Sequence, residues 1–261
     1  MPPKTASLRD AARFDRAAAT YDAWAEHHRA IADALFDLPG LPAAPRRILD
    51  AGCGTGLTSL RAALRYPAAC LIGLDRAPAM IDAYARRFPR AETIVGDLRD
   101  APLPRDIDLI VSSCVFQWLD AYLPTLARLR DVLAPCGTLA FAEPVVGTLP
   151  EFAAACERAH LTGLGLPCRP ADACLRALDA SGFRILTAQL RDFPVNYPSA
   201  RSALRSFSGI GAVPGKPALS PGLTRRLIAA LTQVCNGRIT LTYRVLLAVA
   251  TPNSEPRTRN L

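Results

Sequence analysis

From residue 46 onward, short apolar runs take turns with segments in which apolar residues recur at helical spacing. "RRILDAG", "ACLIGLD", "ETIVGD", "DLIVSSC" and "GTLAFAEP" predict strands, while "LTSLRAALRY", "APAMIDAYARRF" and "AYLPTLARLRDVL" predict helices. Strands that alternate with helical segments of about 10–15 residues predict an α/β fold, with a parallel sheet covered on both faces. The flanks follow other rhythms. Residues 14–38 predict an amphipathic helical lead-in, and "LPEFAAACERA" and "PADACLRALDASG" predict helices followed by the strand "FRILTAQLRDF". Two helices are expected within 197–233, separated by "GIGAVPGKPALSPG", before a last strand, "GRITLTYRVLLAVAT". The expected organisation is a helical lead-in and cap over 1–45, a core domain over 46–251 with a helical insertion near 197–233, and a flexible tail over 252–261.

Composition adds limits. At 261 residues, half of them hydrophobic, the chain is long enough for one sizeable core, and no apolar stretch reaches the roughly 20 residues of a membrane span. The first residues lack the apolar stretch of a signal peptide, so a cytoplasmic protein without membrane contact is expected. Eight cysteines form no C-x-x-C pair and have only three histidines for company, which argues against a metal site and against a disulfide framework. Their apolar neighbours predict small buried hydrophobes. The net charge of +8 comes from thinly spread arginines without a basic block or interleaved aromatics. That leaves a solvated basic surface or an acidic macromolecular partner, and does not point to nucleic acid.

The candidate chemistry starts at "DAGCGTG", where Gly52, Gly54 and Gly56 form a strand-to-helix turn behind Asp50. Such a turn lets a ligand approach backbone N–H groups at a helix start, which many cofactors exploit. The third glycine comes one residue too early for the dinucleotide G-x-G-x-x-G spacing. Asp75 follows Gly56 by nineteen residues and ends the second strand, where a carboxylate can accept from two ribose hydroxyls. A nicotinamide site would want the same residue. Asp97 with Leu98 at the third strand end suits an adenine, with an acid near its amine and an apolar wall beside it. Singly, either aspartate could be a helix cap or turn residue.

Together, "ILDAGCGTG", "GLDRAPAM", "VGDL" and "DVLAPCGTLAF" resemble the class I S-adenosylmethionine-dependent methyltransferases. The resemblance implies a seven-stranded, doubly wound, mostly parallel Rossmann-like sheet with an antiparallel last strand and helical insertions over the substrate. "FDRAAATYD", "SSCVFQWLD", "GTLPEF", "SALRSFSGIGA" and "LTYRVLLAVA" extend the likeness over nearly the whole chain to the malonyl-acyl carrier protein O-methyltransferase family of biotin synthesis. That resemblance implies S-adenosylmethionine as cofactor and a malonyl group on an acidic acyl carrier protein as substrate, handled by a monomer. It implies cofactor contacts from Tyr21, Asp50, Gly52, Cys53, Gly54, Gly56, Asp75, Arg76, Met80, Asp97, Leu98 and Ser113.

For the acceptor, Arg205 either grips the carboxylate as a bidentate fork or lies on a basic helix surface. Gln117 and Trp118 line the transfer channel, or Trp118 anchors the core. Tyr243 donates to the substrate or packs. His28, where the family has glutamine, contacts either ligand or neither. A carboxylate is already ionised at neutral pH, so no general base is expected. Other methyl acceptors (a free carboxylate or a quinone ring carbon), a nicotinamide oxidoreductase and an RNA-binding protein on the same scaffold are the alternatives. The intact glycine turn and acids weigh against the last of these.

Overall fold

The computed structural model describes residues 4–212 and 220–253, with only the backbone of 4–10. Most of the expected "VPGKPALS" loop and the expected tail beyond 253 lie outside the described residues. Seven strands form one sheet: β1 (Arg47–Ala51), β2 (Cys70–Asp75), β3 (Glu92–Val95), β4 (Ile107–Ser113), β5 (Leu133–Pro144), β6 (Phe183–Asn196) and β7 (Thr240–Pro252). Their order is β3-β2-β1-β4-β5-β7-β6. Neighbours among β1–β5 pair in parallel, and β7 runs antiparallel to both β5 and β6, as expected of the last strand. The order reverses between β1 and β4, and a crevice at the carboxyl ends of those strands is where such sheets take ligands.

The central strands are mostly apolar because both their faces are covered. Ile48, Leu109, Val111, Ala140 and Ala142 belong to one core, while Leu49, Ala51, Ile110, Leu139 and Phe141 alternate into the other. The first core packs under α3 (Glu26–Phe36), α7 (Pro150–Arg158), α9 (Ala200–Gly209) and α10 (Pro221–Val234) through Leu35, Phe152, Phe207 and Leu227. The second packs under α6 (Tyr122–Val132) and α8 (Ala171–Ala180) through Leu126, Leu129 and Leu178. Ser199 and Ser220 cap α9 and α10 by accepting from Ser202 and Leu223 amides. Strand β6 sits at the sheet edge, where Pro194 costs no ladder bond toward a further strand.

Two expectations change. The lead-in is three helices, α1 (Lys4–Ala17), α2 (Tyr21–Trp24) and α3, instead of one amphipathic run. The Thr20 amide and hydroxyl both donate to the Ala17 carbonyl, at 2.9 and 3.2 Å, and this local bonding ends α1. The cysteines are less buried than their neighbours suggest. Cys53, Cys156 and Cys174 are buried, but Cys70 and Cys136 are exposed because they lie near the entry ends of β2 and β5.

One buried ion pair holds the segment after β4. Glu143, fully buried at the end of β5, accepts from the Tyr122 hydroxyl at 2.7 Å and from Arg169 at 3.2 Å. The Arg169 guanidinium also lies 4.1 Å above the Tyr122 ring and donates to the Phe116 and Leu119 carbonyls. The short helical turn Phe116–Trp118 is therefore clamped at both ends by one side chain. Replacing Arg169 by Met leaves Glu143 buried without its cation, and should cost about 3–5 kcal/mol in urea unfolding at neutral pH. Burial, against Tyr122 and Arg169, already holds the Glu143 carboxyl above the usual carboxylate range. Its protonation at lower pH should shrink the deficit, and adding Glu143→Gln should recover most of it. A loss below about 1 kcal/mol, the value of an exposed pair, would contradict this reading.

Candidate active site

The turn after β1 is shaped by contacts on one side and space on the other. Gly52, Gly54 and Gly56 have φ of 80°, 52° and 91°, the left-handed region that glycine enters without strain. A Cβ on Gly52 would meet Val115 at 2.4 Å and one on Gly56 would meet Phe88 at 2.6 Å, whereas Gly54 has nothing within 4 Å of that position. The open side of Gly54 is the cleft. One carboxylate fixes the turn: Asp75 accepts from the Gly54 amide and from the Ala77 amide, both at 2.9 Å. It thereby ties the turn to the start of α5 (Pro78–Arg87).

The cleft lies beside this turn. Gly52, Gly54, Asp75, Arg76 and Gly96 line one side, and Met80, Leu98 and Leu119 supply apolar wall. Asp97 also reaches it, but both its oxygens are engaged by Arg99, at 2.9 and 2.8 Å, in a bidentate pair. Burial pushes the Asp97 carboxyl up, and the bonds from Arg99 outweigh it, leaving the pKa at about 2. Under the turn, Tyr84 lies 2.9 Å from the Ser59 hydroxyl, which donates to one oxygen of buried Asp50 at 2.7 Å. The other Asp50 oxygen has no partner. Burial lifts this carboxyl, against the Ser59 bond, to about 7.

The lead-in helices roof the cleft. Asp15 of α1 accepts from the Ala79 amide at the start of α5, and Phe14 meets Trp118 edge-on at 5.8 Å. Asp22 of α2 accepts from the Thr55 hydroxyl at 2.6 Å and pairs with Arg87, which itself donates to the Thr55 carbonyl. This latch joins the roof to the glycine turn and holds Tyr21 over the cleft. On the other side Trp24 packs against Gly209, where a Cβ would lie 2.2 Å from the indole. Gly211 (φ 73°) abuts the α1 backbone at Arg13 and Phe14. The "GIGA" glycines are thus contact points for the roof.

A second cavity adjoins the first and shares Phe14, Tyr21, Cys114 and Trp118 with it. His27, His28, Gln117 and Tyr243 line it, with Phe207, Ile210 and Ala212 from α9 and the turn after it. No Asp, Glu, Lys or Arg is among its described lining. Its titratable groups are neutral. Burial, then the neighbouring imidazole, pushes His27 well below the usual histidine range, and burial with Arg29 lowers His28 to about 4. Burial lifts the Cys114 thiol to about 12, and burial and nearby acids push the Tyr21 phenol far up.

Of the residues singled out in the sequence, the structure brings Tyr21, Gly52, Gly54, Asp75, Arg76, Met80, Asp97, Leu98 and Ser113 to the first cavity. Gln117, Trp118, Tyr243 and His28 come to the second. Arg205 does not come to either. It is exposed on α9, opposite the buried face carrying Ala203, Ser206 and Phe207. The buried Cys53 packs with Ile81 and Tyr84 behind the turn. Phe14 and Asp22 lie within "FDRAAATYD" and Cys114 within "SSCVFQWLD", without a site role expected of them, and His27 lies in none of the stretches that carry the resemblance. Cys114 alone has a local signature in the structure, a φ of 58° at the strand exit.

S-adenosylmethionine, the cofactor implied by the sequence resemblance, suits this lining. The space over Gly54 admits a ligand to the backbone, the apolar wall suits a flat base, and Asp75 and Asp97 on the lining, with Asp50 buried two residues before the lining Gly52, suit a cationic ligand. The profile of a methyltransferase domain matches residues 48–137. A malonyl-[acyl-carrier protein] O-methyltransferase of Herminiimonas arsenicoxydans is 32% identical, over 91% of this chain and 93% of its own. That of Geobacter sulfurreducens is 34% identical, over 82% and 85%. Among solved structures, geranyl diphosphate C-methyltransferase from Streptomyces coelicolor superposes with a TM-score of 0.52, covering 85% of this chain and 78% of that one. At 17% identity it shows the shared fold alone.

Two predictions follow from this geometry. A cation bound beside Asp50 favours the ionised carboxylate, so affinity for S-adenosylmethionine should rise as pH rises through about 7. By calorimetry, Asp50→Asn should bind more weakly at alkaline pH and lose this dependence, and parallel curves would contradict the assignment. Gly209→Ala should push Trp24 out, lowering stability by about 1–3 kcal/mol and weakening cofactor binding. Ser208→Ala, exposed beside it, should do neither. Equal melting temperatures for the two variants would count against the roof contact.

Proposed function

The chain belongs to the malonyl-acyl carrier protein O-methyltransferase family, and on that premise we propose that it uses S-adenosylmethionine to esterify the free carboxyl of a malonyl thioester on acyl carrier protein. The sequence resemblance puts this reaction early in biotin synthesis. The observation that carries the reading is the adjoining pair of cavities: one with carboxylates and a glycine turn, the other without a charged residue among its described lining.

When bound, S-adenosylmethionine supplies an activated methyl group on a positively charged sulfonium. The chain's residues have to hold donor and acceptor in line and keep water out. Phe14 and Trp118 form the shared wall, and Tyr21, pinned through Asp22, closes it from above. A malonyl carboxylate is ionised at neutral pH, so no proton has to be removed. The neutral His27, His28, Tyr21 and Cys114 agree with that requirement. Transfer of a methyl cation to a carboxylate removes both charges. A cavity with no formal charge among its described lining residues therefore favours the transition state over the separated ions.

Arg205 has a different part in this reading. With Arg201 it lies exposed on α9, the helix whose other face gives Phe207 to the acceptor cavity. These arginines, with an overall charge of +8, suit an acidic carrier domain.

Malonyl-acyl carrier protein incubated with enzyme and S-adenosylmethionine should gain the mass of one methyl group. An unchanged carrier beside turnover of another acid would overturn the substrate. Charge reversal at Arg201 and Arg205 should raise KM for the carrier-bound substrate about tenfold at low salt, as expected of steering charges. KM for malonyl-coenzyme A should stay within about twofold. Equal effects on both would argue against docking by α9.

A further inference from the structure

The proposed methyl transfer needs no base, yet the acceptor cavity is rich in polar atoms that lack a partner. Among the described residues, seven buried side-chain nitrogen or oxygen atoms make no hydrogen bond. Four of them belong to residues that line this cavity: His27 Nδ1, His28 Nδ1, Gln117 Oε1 and the Tyr243 hydroxyl, which has the Tyr197 phenol as a polar neighbour. His27, Gln117 and Tyr243 are 3%, 5% and 3% exposed. Buried polar atoms are rarely left unpaired, and when they gather in a cavity a ligand is the natural partner.

These groups are held rigidly. The His27 ring stacks on Tyr243 with centroids 4.0 Å apart and planes at 10°, and the His28 ring lies 4.0 Å from that of His27, tilted by 43°. Tyr21 closes the row at 5.4 Å from His28. Two imidazoles from α3 and a phenol from β7 thus present their polar edges from fixed positions. A neutral imidazole carries one N–H and can place it on Nδ1, the atom without a partner here. Gln117 is fixed by donating to the Cys114 carbonyl at 2.8 Å.

Resting on the carboxyl-methylation reading above, the geometry points to a carboxyl seat of neutral donors: His27 and His28, backed by Tyr243, donate to the acceptor carboxylate, which meets no formal charge among the described lining residues and faces the cofactor's sulfonium. An arginine in this position would bind the carboxylate more tightly, but would also hold its electron pairs away from the methyl group. Neutral donors orient the carboxylate and grip the uncharged ester product less. The arrangement makes acceptor binding depend on the charge in the neighbouring cavity. In the reaction one carboxylate oxygen forms the new C–O bond, the C–S bond breaks with its electron pair left on sulfur, and both charges vanish together. The seat then holds a neutral ester next to a neutral thioether, and neither keeps the other in place.

The test compares binding of malonyl-acyl carrier protein to enzyme loaded with S-adenosylhomocysteine, which is neutral at sulfur, or with sinefungin, whose amine carries a positive charge there. Binding should be about tenfold tighter with sinefungin, while acetyl-acyl carrier protein, lacking the carboxylate, should not discriminate. His27→Phe keeps the stack and removes Nδ1. It should raise KM for the malonyl substrate roughly tenfold, the value of a hydrogen bond to a charged group, and leave sinefungin affinity and acetyl-carrier inhibition within about twofold. Tyr243→Phe, judged by the same split, serves if His27→Phe does not fold. Equal malonyl affinity in the two loaded enzymes, or an unchanged malonyl-over-acetyl preference in the variant, would overturn the seat. Sinefungin-dependent binding of another carboxylate with no malonyl turnover would overturn the substrate and leave the seat standing.

Discussion

Asp75 is the constraint on which the rest of the site is built. Its two oxygens accept from amides of the glycine turn and of the α5 start, so the first two strand ends are locked into one rigid corner. The price of that corner is a buried carboxylate, and burial raises its pKa against the amide bonds that lower it. The corner fixes the open face of Gly54, and through Thr55 it fixes the surface on which Asp22 latches the roof. Strand order then adds Ser113 and Cys114 from β4 across the same crevice.

The two cavities divide charge between them. Asp75 and Asp97 line the cofactor side, where a cationic ligand belongs, with Asp50 buried behind its glycine turn, and each is balanced in a different way. Ser59 holds Asp50, backbone amides hold Asp75, and Arg99 holds Asp97. The acceptor side carries no formal charge among its described lining residues. A reaction that joins a sulfonium to a carboxylate is served by this asymmetry, because the charge separating reactants from products is supplied by the reactants themselves.

The sheet was legible because it is local: apolar runs, glycine spacing and acids at strand ends are written contiguously. The cofactor side followed from those same signals. What escaped depends on packing between distant segments. "GIGA" belongs to the stretches that carry the family likeness, and what its glycines do, admitting Trp24 and the α1 backbone, involves residues nearly two hundred positions away in sequence. Arg205 had the right chemistry for a carboxylate but the wrong helical phase, which the buried face of α9 settles. His27 carries no motif, and only its stacking on Tyr243 from the far end of the chain gives it meaning. Asp97 kept its place at the cleft, while Arg99, two residues on, claims the carboxylate that was expected to face an adenine amine.

The central claim is that a carboxylate oxygen, and no carbon atom, receives the methyl group. Carbon-13-labelled methyl on S-adenosylmethionine reports this directly by NMR of the product formed on malonyl-acyl carrier protein. The account predicts one new labelled signal at the chemical shift of a methyl ester, lost on mild ester hydrolysis. A labelled methyl that resonates as carbon-bound and survives that hydrolysis would contradict it.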